Sequence, residues 1–156
     1  MVRYRFLTDE ELKALDEEFK HFLIANGLHA EEWEELNKND PDKAIEIVGL
    51  FSDLVLDKVY DKTEFILYQN AKSLKVFKFF KEKAILIGVD YQGRDDFPLE
   101  GVMEFISKNA EKMLIYSSSK SFDEVERNKE IHHLIKYGAF ATDDKIFNFL
   151  AEIKKV

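Results

Sequence analysis

Apolar positions recur with helical period through the first part of the chain and then change spacing. Thr8 and Glu11 stand at capping-box distance. Behind them Leu12, Leu15, Phe19, Phe22 and Leu23 share one face, and Gly27 supplies a left-handed stop. A short helix over 30–37 carries Trp33 and Leu36. Asp40 as N-cap and Pro41 at the first helical position open a third helix, expected to run to about Tyr60. Its Ala44, Ile47, Val48, Phe51, Leu54, Val55 and Val59 make a wide apolar face, and Ile45, Leu50 and Leu56 add a second. A helix apolar on most sides belongs at the centre of a core.

From Thr63 the period becomes that of strands. Residues 64–69 read as a strand and 70–73 as a turn. Residues 74–80 then alternate, with Leu74, Val76, Lys78 and Phe80 on one face and Lys75, Phe77, Phe79 and Lys81 on the other. So short a loop makes these two strands antiparallel neighbours. Residues 84–89 are apolar throughout, the pattern of a strand buried on both faces. A loop over 90–97, a helix opened by Pro98 and a strand over 112–117 follow, a strand–helix–strand unit whose two strands should be parallel. Ser121 and Glu124 repeat the capping-box spacing before a helix that runs to Gly138. Thr142 then caps a last helix with Ile146, Phe149, Leu150 and Ile153 facing inward. The expected fold is α+β or α/β: a four-stranded mixed sheet covered by helices, with an acidic helical N-terminal third, in a single domain over 1–156.

Charge sharpens this division. The formal net charge is −8. Through Asp61 there are 7 basic and 16 acidic side chains, a net of −9, and from Lys62 onward 16 and 15, a net of +1. The acidic third argues against a general nucleic-acid surface, which draws on phosphate neutralisation. The composition, 46% hydrophobic and 35% charged with two Pro and six Gly, is that of a globular chain rather than a disordered or fibrous one. The absence of Cys removes disulfides, thiolate metal sites and cysteine nucleophiles. The opening MVRYRFLTDEELKALDEE lacks the apolar core of a signal peptide, and no run is long enough for a membrane span, so a cytoplasmic protein is expected.

Site motifs are missing: there is no GxGxxG, phosphate loop, HExxH or GxSxG. The topology suggests a place for a ligand instead. If the strands over 84–89 and 112–117 are parallel, their C-terminal ends share one sheet edge, where open α/β sheets bind ligands. That edge gathers Asp90, Arg94 and Asp95 from one loop and Ser117, Ser118, Ser119 and Lys120 from the other, a set suited to a small anion. Asx and Ser turns with two helix caps explain the same residues without a ligand. No metal site or cofactor is expected. His132 and His133 are adjacent on a helix and cannot both face one ion, and no catalytic residue is assigned.

A second surface comes from the strand over 74–80. Tyr68, Lys75, Phe77 and Phe79 on one sheet face could dock a protein partner or a second copy, with lysines at the rim. The same face could stack bases, although it lacks the glycines and second aromatic strand of the familiar RNA-binding module. Coverage by a helix explains the aromatics equally. The first expectation is a non-enzymatic protein acting through a protein–protein interface. A small-molecule or anion-binding protein using the loops 90–97 and 117–121 (with enzymatic activity left open) is the alternative, and RNA binding a third.

Three stretches carry a family resemblance: RYRFLTDEELKALDEEFKHFLIANGLHAEEWEELN, AIEIVGLFSDLVLDKVYDKTEFILYQNAKSLKVFKF and RNKEIHHLIKYGAF. The chain resembles a small family of uncharacterised Bacteroidota proteins of the domain-of-unknown-function kind. Such proteins have sometimes carried a histidyl-tRNA synthetase label. This chain is too short for that catalytic domain and shows no class II aminoacylation motifs, and the resemblance transfers no catalytic residue.

Overall fold

The computed structural model describes residues 2–156, which form two compact units, 2–61 and 62–156. The boundary falls at the step in charge density between Asp61 and Lys62.

The first unit is helical: α1 (Asp9–Ala14), α2 (Asp16–Ala25), α3 (Ala30–Asn39) and α4 (Pro41–Asp61). The Thr8–Glu11 capping box is present, with Glu11 N–H donating to Thr8 Oγ1 at 3.1 Å and Thr8 N–H to Glu11 Oε1 at 2.9 Å. Arg5 grips the same carboxylate through two nitrogens, at 2.7 and 3.0 Å. These bonds to the ionised form hold the Glu11 carboxyl down at about 2. The helix expected from Thr8 to Gly27 is instead broken at Leu15, where φ is −105° and ψ 25°. No Gly or Pro stands there, so local propensity does not mark the break. On α4, Phe51 is buried between Phe19 and Phe22, with ring centroids 5.0 and 5.3 Å away. Ser52, also buried, accepts from Leu7 N–H at 3.0 Å and donates to Val48 O at 2.8 Å.

The second unit contains β1 (Phe65–Gln69), β2 (Ser73–Phe79), β3 (Lys83–Tyr91), α5 (Val102–Lys108), a 3-10 turn (Ala110–Lys112), β4 (Met113–Ser121), α6 (Glu124–Lys136), β5 (Phe140–Thr142) and α7 (Lys145–Lys154). The sheet has five strands in the order β4-β3-β2-β1-β5, and all four pairings are antiparallel. The fold is α+β. The four-stranded mixed sheet expected from the sequence is therefore corrected on two counts.

The fifth strand is three residues long, too short to show a period, and lies where a helix cap was expected. The second correction concerns β3 and β4, which run antiparallel side by side rather than parallel. A parallel crossover would return the chain to the far end of β3, roughly 30 Å away for nine residues. The chain instead turns back where it left, and Gln92 N–H donates to Lys112 O at 2.9 Å to close the return.

Strand alternation sorts the side chains onto two faces. The first face brings Leu67, Leu74, Val76, Ile87 and Val89 against Ile106 of α5 and Phe147 and Leu150 of α7, and this is the main core. The second face carries Ile66 and Tyr68, then Lys75, Phe77 and Phe79, then Ala84, Leu86 and Gly88, and finally Leu114, Tyr116, Ser118 and Lys120. α6 lies against one end of it. Arg127 of α6 is buried, with its guanidinium 5.8 Å from the Phe79 ring centroid. It donates through Nε to Phe80 O at 2.7 Å and through a terminal nitrogen to Thr63 O, also at 2.7 Å. α6 is capped by Asp123, whose carboxylate accepts from Glu126 N–H at 2.8 Å, and not by Ser121. Ser121 belongs instead to β4.

Candidate functional site

Extending β4 to Ser121 moves half of the expected ligand loop into the sheet. Ser117, Ser118, Ser119 and Lys120 pair with Ile87, Leu86, Ile85 and Ala84, whereas Asp90 pairs with Leu114. Lys120 and Asp90 are thus about 20 Å apart along the strands. The structure does not bring the two groups together.

The loop after β3 is held by its own contacts. Asp90 accepts from Ser73 Oγ at 2.9 Å. Lys72 donates to Gly93 O at 2.9 Å and to Asp95 O, pairs with Asp96 at 3.5 Å and stands 5.3 Å from the Tyr91 ring centroid. The Tyr91 hydroxyl donates to the Asp95 carboxylate. That bond pushes the phenol up to about 12 and lowers the Asp95 carboxyl. Gly93 is required beneath the ring, because a Cβ there would lie 2.1 Å from it. Asp90 therefore ties β3 to β2, Asp95 serves the loop itself, and Arg94 is exposed.

What the structure does bring together is one part of each predicted set. Phe77, Phe79, Ala84, Leu86 and Phe122 form the apolar lining of a hollow of about 150 Å³ on the second face, rimmed by Ser118, Ser119, Lys120 and Glu130. Phe122 stacks on Phe79 with centroids 6.0 Å apart and planes at 15°. Phe77 lies 6.2 Å from Phe79. Lys120 Nζ and Glu130 Oε2, 3.4 Å apart, bridge β4 to α6 at the rim. A second, more polar hollow of about 340 Å³ adjoins it, lined by Lys120, Phe122, Glu126, Lys129, Glu130 and His133. Of the two adjacent histidines His133 is the exposed one, its ring 4.6 Å from Tyr137, and His132 is half-buried.

Tyr68 and Lys75 face each other further along the same face, in register with Gly88 and Tyr116. The Tyr116 ring lies over Gly88, where a Cβ would come within 2.1 Å of it. Burial, and secondarily the charge of Asp90, raises the Tyr116 phenol above its usual value. Leu114 remains 53% exposed beside it.

Phe122, Leu86 and Glu130 were missed as site residues. Strand alternation carried through Ser118 and Lys120 reaches Phe122, but the serine run reads as a loop and ends the strand too early. Among the described residues no group of three or more His, Asp or Glu side chains could hold a metal ion, and no helix is long and apolar enough to cross a membrane. The hollow offers aromatic surface, a rim ion pair and a neighbouring strand edge.

No curated protein and no solved structure matches the chain. One family model does, over residues 1–155, and it makes no link to histidyl-tRNA synthetases. With its acidic helical unit, its five-stranded antiparallel sheet and that match, the chain belongs to the family described as "Family of unknown function (DUF6495)".

Proposed function

We propose that the protein is a non-enzymatic binding module whose partner is another protein, docked along Tyr68, Lys75 and Phe77 and into the hollow beside Ser118 and Lys120. One observation carries this reading: an aromatic hollow opens directly beside an exposed sheet edge. A protein chain offers both a side chain for the hollow and a backbone for the edge. At about 150 Å³ the aromatic hollow is of side-chain size, and the adjoining hollow of about 340 Å³ is more polar. None of the serines of β4 has a hydrogen-bonded base beside it among the described residues, which supports binding over nucleophilic chemistry.

The test is a photo-crosslinking residue placed at Lys75 in living cells, with and without Phe77→Asp. The expected result is a discrete protein adduct that the Asp variant abolishes while the circular dichroism spectrum is unchanged. No protein adduct from Lys75, together with a small bound mass in native mass spectrometry, would overturn the reading in favour of a ligand-binding protein.

A further inference from the structure

β4 is the long open edge of the sheet, paired with β3 on one side and with no strand on the other among the described residues. The bonds that flank it fix the parity of its backbone. Gln92 N–H donates to Lys112 O and Phe122 N–H to Glu82 O, both at 2.9 Å, so the even-numbered residues of β4 exchange hydrogen bonds with β3. The odd-numbered residues, Met113, Ile115, Ser117, Ser119 and Ser121, turn their N–H and C=O groups outward. The edge has few of the usual guards: it contains no Pro, and its one charged side chain is Lys120.

The side chains are graded along this edge. Met113, Leu114, Ile115 and Tyr116 fill the first half of the strand, while Ser118, Ser119 and Ser121 leave room in the second, with Ser117 at the midpoint. We infer that β4 docks a second copy of this chain, antiparallel, about a two-fold axis through Ser117. This rests on the reading that the second face binds protein, and it names the partner.

In that register Ser117 meets itself, Ile115 meets Ser119, and Met113 meets Ser121. All of these are odd-numbered positions, so every outward N–H and C=O of the strand finds a partner. On the second face Tyr116 of one copy stands opposite Ser118 of the other, and Leu114 opposite Lys120. The bulky half of each strand thereby reaches the hollow beside the small half of the other. Lys120 of one copy lays its stem along Leu114 of the other, its ammonium still paired with Glu130 of its own chain. Any extended peptide could satisfy the backbone. The match of large against small residues over the whole strand selects the second copy.

Sedimentation equilibrium on the full chain across a concentration series tests this. The expected result is a rise from the 18.3 kDa of one chain to twice that mass. Ser119→Pro removes an outward N–H without touching the bonds to β3, and strikes twice in a two-fold interface. It should weaken association by about 100-fold or more with an unchanged circular dichroism spectrum. As a check independent of that variant's folding, Ser117→Cys should oxidise to a covalent dimer, since paired Cα atoms lie about 5.5 Å apart there, while Ser121→Cys should not. A monomer at every concentration, a dimer indifferent to Ser119→Pro, or equal crosslinking of the two cysteine variants would overturn the inference. A monomer that still yields the Lys75 adduct would leave the binding-module reading standing with a different partner.

Discussion

Replacing Arg127 by Met should cost the second unit about 2–6 kcal/mol. Arg127 is 6% exposed, and its guanidinium bonds Phe80 O and Thr63 O at 2.7 Å each and Asn128 Oδ1 at 2.9 Å. Each such bond from a charged donor is worth about 1.5–3 kcal/mol, so a bare sum would be roughly 4.5–9 kcal/mol. Two effects reduce it. Met no longer carries a charge that must be desolvated, and its thioether keeps contact with the Phe79 ring. What remains is mainly two backbone carbonyls deprived of their donor, at about 1–3 kcal/mol each. Arg127→Lys keeps the charge but cannot reach both carbonyls from one nitrogen, so it should fall between Met and the native residue. The assay is urea unfolding followed by NMR signals of β1 and β2. Trp33 fluorescence is unsuitable because that residue lies in the other unit. A loss below about 1 kcal/mol for Arg127→Met, or a Lys variant equal to the native protein, would refute the argument that the guanidinium fork pins α6 to the sheet.

Leu150→Ala, at a site with no exposed surface in the main core, should destabilise by about 2–5 kcal/mol, while Leu99→Ala, at a fully exposed site, should stay within about 0.5 kcal/mol in the same unfolding experiment. Gly93→Ala forces a methyl into the Tyr91 ring and should destabilise by about 1–3 kcal/mol. In a spectrophotometric titration it should also bring the Tyr91 phenol down from about 12 towards its ordinary value, and an unchanged titration would refute the packing argument. Glu11 titrates at about 2 when folded, below its ordinary 4.5, so its contribution is present above about 4.5 and lost as pH falls towards 2. Glu11→Gln should flatten stability against pH across that window alone; because the carboxylate is largely solvated, the effect should also shrink with added salt.

The parts of the fold legible in the sequence are those where local chemistry and tertiary packing ask for the same thing. Asp40-Pro41 starts α4, and Lys43 N–H donates to Asp40 at 3.3 Å as an N-cap requires. The alternation of residues 74–80 divides β2 correctly between its faces, because period two is imposed by the backbone itself. Where the two diverged, the reading went astray. Ser117–Ser121 has turn composition, yet its backbone is held in the strand by β3 alongside. Phe140–Thr142 is a strand only because β1 offers it a partner.

The sequence by itself determined the acidic helical third, the three central strands and the charge step at Asp61, since these follow from period, capping and composition; it did not determine the core, because Ile45, Leu50, Leu54 and Val59 of α4, expected inside, are exposed. Only the tertiary structure decided the direction of β4 against β3. Strand direction depends on the path the connecting chain takes, and here Gln92 N–H donates to Lys112 O, closing the return at the end where β3 leaves off. That one geometric fact separates Asp90, Arg94 and Asp95 from Ser117–Lys120 and sets the serines beside Phe77 and Phe79. It also leaves the nine residues of β4 as an open edge.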